Sequence, residues 1–234
     1  FPFPGSRLRQ LVRRVLDLPD HEEDPWRATS LVWTVLELMP ALLEQPVAQP
    51  LRAWLQQRDG EASGLSRDRW QLARAIADAF DDYALYRPAT LHSWMRGSRA
   101  STETDWQPWL ARQLAASLHR QPFGLQVQAA LERLRFGAVD PQVLPKVIRL
   151  FGITALAPVQ VELIQALSGS TDVQVFLLTP CRDLWQRCGN RREQLGATWT
   201  EPPDGGWFQH APRLEATLGR MGAEFQQLLE GSGD

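Results

Sequence analysis

Residues 147–178 read VIRLFGITALAPVQVELIQALSGSTDVQVFLL, and this stretch decides the fold of the second part of the chain. Its first apolar run is bounded by Pro145 and Gly152, which is typical of a short buried parallel strand. Residues 158–167 have helical spacing, and residues 173–178 form a second apolar run. A strand, a helix and a strand in this order predict a right-handed parallel crossover.

Two strands alone do not form a stable sheet. Residues 146–180 are therefore predicted to belong to an α/β sheet whose other strands lie elsewhere. This is the strongest sign in the residues that the chain is part of a larger protein.

The sequence before residue 146 predicts only helices. In six segments apolar residues recur three and four positions apart, with proline or turn-forming residues between the segments. The predicted helices cover residues 6–16, 25–39, 47–55, 66–86, 109–118 and 125–134. A loop at 189–212 precedes a last helix that opens at Pro212. The predicted fold class is mainly α with a small α/β part, divided into a helical region at 1–145 and an α/β region at 146–234.

Composition limits the classes of function. The chain has 234 residues, 44% of them hydrophobic, which is enough for a sizeable core. No apolar run approaches the roughly 18 residues of a membrane span, and no signal peptide is recognisable, so a cytoplasmic protein without a membrane partner is predicted. The net charge of −2 restricts any attraction to nucleic acid to local patches. Lys146 is the only lysine among 25 basic residues. This excess of arginine suits phosphates and base edges, but biased codon usage is the favoured explanation.

Catalytic chemistry is not recognisable in the sequence. No glycine-rich phosphate loop followed by Lys and Ser or Thr is present, and the exit of the first predicted strand carries no carboxylate before Glu162. Cys181 and Cys188 lack the spacing of a zinc site and are predicted to be reduced thiols. The four histidines are scattered along the chain: His21, His92, His119 and His210. No catalytic residue, metal site or cofactor is predicted for this chain.

Four stretches of the sequence resemble the RecC family, the gamma subunit of the RecBCD exonuclease V. They are FPFP at 1–4, SLVWTVLELMPALLEQP at 30–46, ARAIADAFDDYALYRP at 73–88, and the strand–helix–strand segment extended through TPCRDLW to residue 185. The resemblance implies a superfamily 1 helicase-like subunit whose ATP-binding motifs have decayed. Residues 1–145 would be a helical 1B-like insertion, and residues 146–180 part of a 1A-like parallel sheet.

The resemblance also implies a function. The family holds RecB-like and RecD-like motor subunits, which use ATP and magnesium, and guides the single-stranded 3′ tail of DNA through a channel that reads the Chi sequence. A non-catalytic scaffold and DNA channel in recombinational repair of double-strand breaks is therefore expected. The competing interpretation is a protein-interaction module whose Trp-rich helices dock the motor subunits without touching DNA.

Candidate DNA-binding residues follow from the same resemblance. Channel-facing positions of its FDxYxxYRP helix fall on Asp78, Asp81 and Arg87, and further DNA contacts fall on Phe3 and Arg120. Arginine can bond phosphate or a guanine edge, aspartate can accept from a base amine or orient the arginine, and phenylalanine can stack on a base.

The alternative for the acidic residues is a metal site, since Asp78 and Asp81 share a helical face with Asp82 nearby; a solvated acidic face is favoured. The chain departs from the family at two positions. The family often has Trp at the position of Arg9, and Leu at the position of Ala79.

Overall fold

The computed structural model describes residues 3–19, 23–59, 65–97, 105–137, 139–153, 155–177, 225 and 228–229. The helices of the described residues are α1 Pro4–Val15, α2 Ala28–Glu44, α3 Gln49–Asp59, α4 Arg67–Tyr86, α5 Pro88–Met95, α6 Gln107–Leu118, α7 Phe123–Arg135 and α8 Pro158–Ser168, with 3-10 turns at Pro46–Ala48 and Pro141–Val143. The strands are β1 Val147–Phe151 and β2 Asp172–Phe176. The predicted fold class, mainly α with a small α/β part, is confirmed.

The chain divides into two compact units. The helical unit comprises Arg9–Arg133, and the other unit comprises Phe1–Leu8 with Leu134–Asp234. The boundary predicted between residues 145 and 146 separates a helical 1B-like region from a 1A-like α/β region. This assignment stays a prediction.

The core of the helical unit lies among α2, α4, α5 and α6. Each of these helices contributes apolar side chains at a spacing of three and four, so that one face of each is buried. Fully buried core side chains include Leu31, Val35, Leu42, Phe80, Leu91, Leu110 and Leu114. Burying each of the larger side chains contributes roughly 1.5–3 kcal/mol, which fixes the helices that carry the candidate site.

The predicted strand–helix–strand segment is confirmed. β1 and β2 pair in parallel, with Val147 opposite Asp172 and Phe151 opposite Phe176. Along β1, exposed and buried residues alternate. Phe151 is 84% exposed, and its ring lies 6.1 Å from that of Phe176. Parallel sheets are normally covered on both faces. The other strands predicted for this sheet would pair along its edges, and they stay a prediction.

Helix starts and ends differ from the prediction at several places, and α5 is not among the predicted helices. α1 begins at Pro4, two residues before the predicted start, because proline suits the first position of a helix. α2 begins at Ala28 instead of residue 25, because the Asp24 carboxylate accepts a hydrogen bond from the Trp26 backbone N–H and holds a turn there. α2 also continues through the exposed Pro40 to Glu44, with the buried Leu42 beyond the proline.

Some predictions concern other parts of the chain. The loop at 189–212, Cys181 and Cys188 lie outside the described residues; of the predicted last helix, Phe225 and residues 228–229 are described and are helical. No single helix in the described part is long and apolar enough to cross a membrane. Only the pair Ala28–Glu44 and Pro46–Arg58, taken together across a bend of 107°, reaches that length and composition.

Candidate nucleic-acid interface

Helix α4 carries Asp78 and Asp81, two of the five predicted DNA-binding residues, and Arg87 caps its C-terminus. Its N-terminus is capped by Ser66, whose Oγ accepts a hydrogen bond from the Arg69 backbone N–H at 3.1 Å. The buried face of α4 consists of Ala73, Ile76, Ala77, Phe80 and Ala84. Because residues four apart share a helical face, Asp78, Asp82 and Tyr86 form one exposed row on the opposite side.

Asp78 pairs with a neighbour on its own helix. The Arg74 Nε donates to both carboxylate oxygens of Asp78 at 3.2 Å, and the two side chains are 45% and 53% exposed. Exposed pairs of this kind contribute little to stability. Asp78 is therefore accessible to a ligand as well as paired.

Asp81 has a structural role in the helical unit. Its Oδ2 accepts a hydrogen bond from the Ala28 backbone N–H at 3.1 Å, at the start of α2. The N-cap residue of α2 is Arg27, whose side chain supplies no cap. Asp81 thus caps α2 from another helix and places a negative charge at the positive end of its dipole. Two arginines complete its surroundings: Arg27 Nε at 3.8 Å and Arg9 Nη2 at 3.9 Å.

Arg9 and Asp24 form the most buried charge pair of this group. The Nη1 of Arg9 donates to Asp24 Oδ2, and the Arg9 guanidinium lies over the ring of Phe123, 4.3 Å from the centroid. The side chains of Arg9 and Asp24 are only 17% and 8% exposed. Burial lowers the pKa of Arg9, while Asp24 and, less strongly, Asp81 raise it. We call Arg9, Asp24, Arg27, Asp81 and Phe123 the Arg9 junction.

The predicted Arg120 is tied to this junction through its backbone. Its carbonyl oxygen accepts a hydrogen bond from the buried Trp26 Nε1 at 2.6 Å. Trp26 in turn donates its backbone N–H to Asp24. His119, just before Arg120, ends α6 in the left-handed conformation with φ 49°. The half-buried Arg120 therefore sits at a sharp and well-anchored turn.

Arg87 lies at the corner between α4 and α5. It is the C-cap of α4 and the N-cap of α5, with φ −137° and ψ 49°. Its side chain is exposed and forms no hydrogen bond or ion pair with any residue that the structure describes. Asp81 is not paired with Arg87. Its carboxylate lies instead near the guanidinium groups of Arg9 and Arg27.

Helix α7 packs closely against the corner that carries Arg87. A Cβ built on Gly124 would lie 2.5 Å from the carbonyl oxygen of Ala84 and 2.6 Å from Cβ of Pro88. Only glycine permits this close approach of backbone to backbone. Arg87 is thus an exposed side chain on a rigid support.

Phe3 belongs to the other unit of the chain. It is 85% exposed and directly precedes α1, and its carbonyl oxygen accepts a hydrogen bond from the Arg7 backbone N–H at 3.1 Å. An aromatic ring so exposed is available for stacking.

The acidic residues of α4 do not form a metal-binding group. Asp78 pairs with Arg74, Asp81 caps α2, and Asp82 is exposed. Within the described part of the chain, no three His, Cys, Asp or Glu side chains come together as metal ligands.

The family model described as RecC, N-terminal domain, matches residues 1–234. The chain belongs to the RecC family. Among its relatives, the RecBCD enzyme subunit RecC of Mycobacterium tuberculosis is 32% identical over 213 residues, covering 89% of this chain and 19% of that protein. The subunit of the same name from Escherichia coli K12 is 30% identical over 194 residues, covering 79% of this chain and 17% of that protein. The one from Haemophilus influenzae is 28% identical over 211 residues, covering 79% and 18%.

The chain thus spans less than a fifth of the length of these RecC relatives. Membership in the RecC family confirms the resemblance drawn from the motif around Arg87 and from the strand–helix–strand segment. The DNA-binding roles of Phe3, Asp78, Asp81, Arg87 and Arg120 stay predictions.

The sequence did not reveal the Arg9 junction of this RecC-family chain. Asp24, Trp26 and Arg27 have no visible periodicity, and their partners lie up to 94 residues away. The one available signal was Arg9 itself, where the family often has Trp. It is a charged residue three positions before the buried Val12. A charged side chain next to the buried apolar face of a helix requires a partner of opposite charge when it is buried.

Proposed function

We propose that this chain is the N-terminal part of the RecC subunit of a RecBCD-type helicase-nuclease, which processes double-strand DNA ends for recombinational repair. The match to the RecC N-terminal domain over residues 1–234 carries the proposal. Its partners are RecB-like and RecD-like subunits, as the name of the relatives suggests. The proposed location is the cytoplasm.

The proposed role of the chain is non-catalytic. In a nucleotide-binding P-loop, the helix after the strand leaves its first backbone amides open for phosphate. Here α8 follows β1, and the Gln160 Oε1 accepts from the Ala157 backbone N–H at 3.0 Å. Gln160 is 8% exposed, so the amide at the start of α8 is already hydrogen-bonded within the chain. This supports the proposal that α8 does not serve as a phosphate-binding helix.

The proposed DNA contact centres on Arg87. Its guanidinium is exposed, has no partner in the described part of the chain, and stands on the corner braced by Gly124. We propose that it contacts the single-stranded 3′ tail and takes part in reading Chi, together with Asp78, Phe3 and Arg120. Asp81 takes part by orienting Arg27, which lies 3.8 Å from its carboxylate.

Arg87→Ala in the full complex is expected to weaken the response to Chi while ATP hydrolysis stays nearly unchanged. Loss of one guanidinium contact to a base edge costs roughly 1–3 kcal/mol of discrimination, and the chain supplies no group to the ATP sites. Chi-dependent product formation and ATPase rates on the same preparation measure this.

Arg58→Ala is the matched control. It also removes one exposed guanidinium, and this one lies over the ring of Trp54 on α3. It is expected to leave the Chi response unchanged. A lost ATPase with a normal Chi response in Arg87→Ala would contradict the proposal.

One observation favours the docking alternative. A hollow of about 390 Å³ on the helical unit is lined by Trp33, Leu36, Glu37, Met39, Pro40, Leu65 and Arg69. Trp33 and Leu65 are 58% and 71% exposed, and exposed apolar patches with a Trp anchor are common at protein interfaces.

A docking-only function predicts that Trp33→Ala with Leu65→Ala prevents co-purification of the motor subunits, whereas Arg87→Ala leaves the Chi response intact. Normal assembly of the double variant would contradict the docking alternative.

A further inference from the structure

Tyr86 is the last residue of α4, and it is 57% exposed. Its ring and hydroxyl make no contact with another aromatic ring and no hydrogen bond among the residues that the structure describes. More than half of this large, nearly rigid side chain is therefore left uncovered by the fold. It is free to bind a ligand.

The other tyrosine of the same motif has the opposite environment. The ring of Tyr83 packs edge-on against Phe80 and Trp94, with centroids 5.8 and 5.3 Å away. Its hydroxyl donates to Gln107 Oε1 at 3.4 Å. Tyr83 therefore packs inside the helical unit. Tyr86 makes no comparable ring contact or hydrogen bond with the described residues.

The neighbours of Tyr86 supply charge of both signs. Arg87 follows it directly with an exposed guanidinium, and Asp82 lies one turn earlier on the same exposed face of α4. The close packing of Gly124 against Ala84 holds the end of α4 in place. An aromatic face beside a cation on a rigid support is the combination that binds single-stranded nucleic acid.

We propose that Tyr86 stacks on a base of single-stranded DNA, with Arg87 contacting the phosphate or base edge next to it. This rests on the proposed function and adds to it the residue that recognises the base face. Stacking of this kind tolerates any base, so Tyr86 contributes affinity and placement of the strand while sequence reading falls to hydrogen-bonding groups.

The test uses the full-length subunit without its partners and a fluorescent oligothymidylate, alongside the same oligonucleotide with abasic sites. Tyr86→Ala is expected to weaken binding of the intact oligonucleotide about 5- to 150-fold, and Tyr86→Phe to stay near wild type, because a phenyl ring also stacks. Wild type is expected to bind the abasic oligonucleotide more weakly than the intact one, and Tyr86→Ala to lose this preference. Equal thermal unfolding temperatures of the variants control for folding.

The outcomes separate the two proposals. Weaker binding in Arg87→Ala with normal binding in Tyr86→Ala would overturn the stacking role alone. Equal losses of Tyr86→Ala on intact and abasic oligonucleotides would also overturn stacking. Absence of binding by the wild type would overturn both the stacking role and the proposed DNA contact of this chain.

Discussion

Asp24→Ala is expected to lower the free energy of unfolding by about 3–5 kcal/mol. The substitution removes the closest carboxylate from the buried Arg9 and leaves its guanidinium with Asp81 at 3.9 Å and the ring of Phe123. A buried charge without a full partner costs far more than a lost surface pair. Urea unfolding of the chain, followed by tryptophan fluorescence, measures the change.

Two further variants identify the cause. Asp78→Ala removes an exposed carboxylate from the same unit, and we expect it to stay within roughly 0.5 kcal/mol of wild type. The double variant Arg9→Leu with Asp24→Ala is expected to be more stable than Asp24→Ala alone, since no buried charge remains. Equal losses in Asp24→Ala and Asp78→Ala would contradict a buried Arg9 junction.

Gly124→Ala is expected to destabilise the chain by at least about 1–3 kcal/mol, and Gly124→Val by more. The added Cβ would lie 2.5 Å from the Ala84 carbonyl oxygen and 2.6 Å from Pro88, and neither backbone oxygen nor proline ring can rotate away. Either α7 or the corner between α4 and α5 must shift. The same variant is therefore expected to weaken DNA binding at Arg87.

Gly169→Ala is the matched control for Gly124→Ala. Its new Cβ would meet the Ala166 carbonyl oxygen at 3.5 Å, which is ordinary contact, and φ is −67°. It is expected to be neutral or to stabilise by up to about 1 kcal/mol, because alanine restricts the unfolded chain. Equal unfolding midpoints for the two alanine variants would contradict the close packing beneath the Arg87 corner.

Local patterns in the sequence predicted α4, the helix that carries Asp78 and Asp81, but not α5, which follows Arg87. The period of α4 and the proline at residue 88 set the bounds of that helix to within one residue of the prediction. The strand–helix–strand segment was equally clear, since short apolar runs flank a helical pattern between glycines and prolines. In both cases neighbouring residues determine the structure.

Contacts between distant residues were not predictable in this way. Asp81 carries a sequence-based assignment to DNA, yet its carboxylate also caps α2, 53 residues earlier in the chain. The continuation of α2 past Pro40 is of the same kind, because the burial of Leu42 is a tertiary effect. The sequence around Gly124 did not predict that a glycine is required there. The requirement comes from the close approach of Ala84 and Pro88, which lie far away in the sequence.

The most direct test of the proposed function is photocrosslinking of a 3′-tailed DNA duplex to the assembled complex, with adducts mapped to peptides. If the corner between α4 and α5 faces the single strand, adducts are expected in the peptide that contains Tyr86 and Arg87, and Gly124→Ala should reduce them. Absence of adducts throughout residues 1–120 in a complex that still unwinds and cuts DNA would contradict the DNA contact and leave docking as the function of this chain.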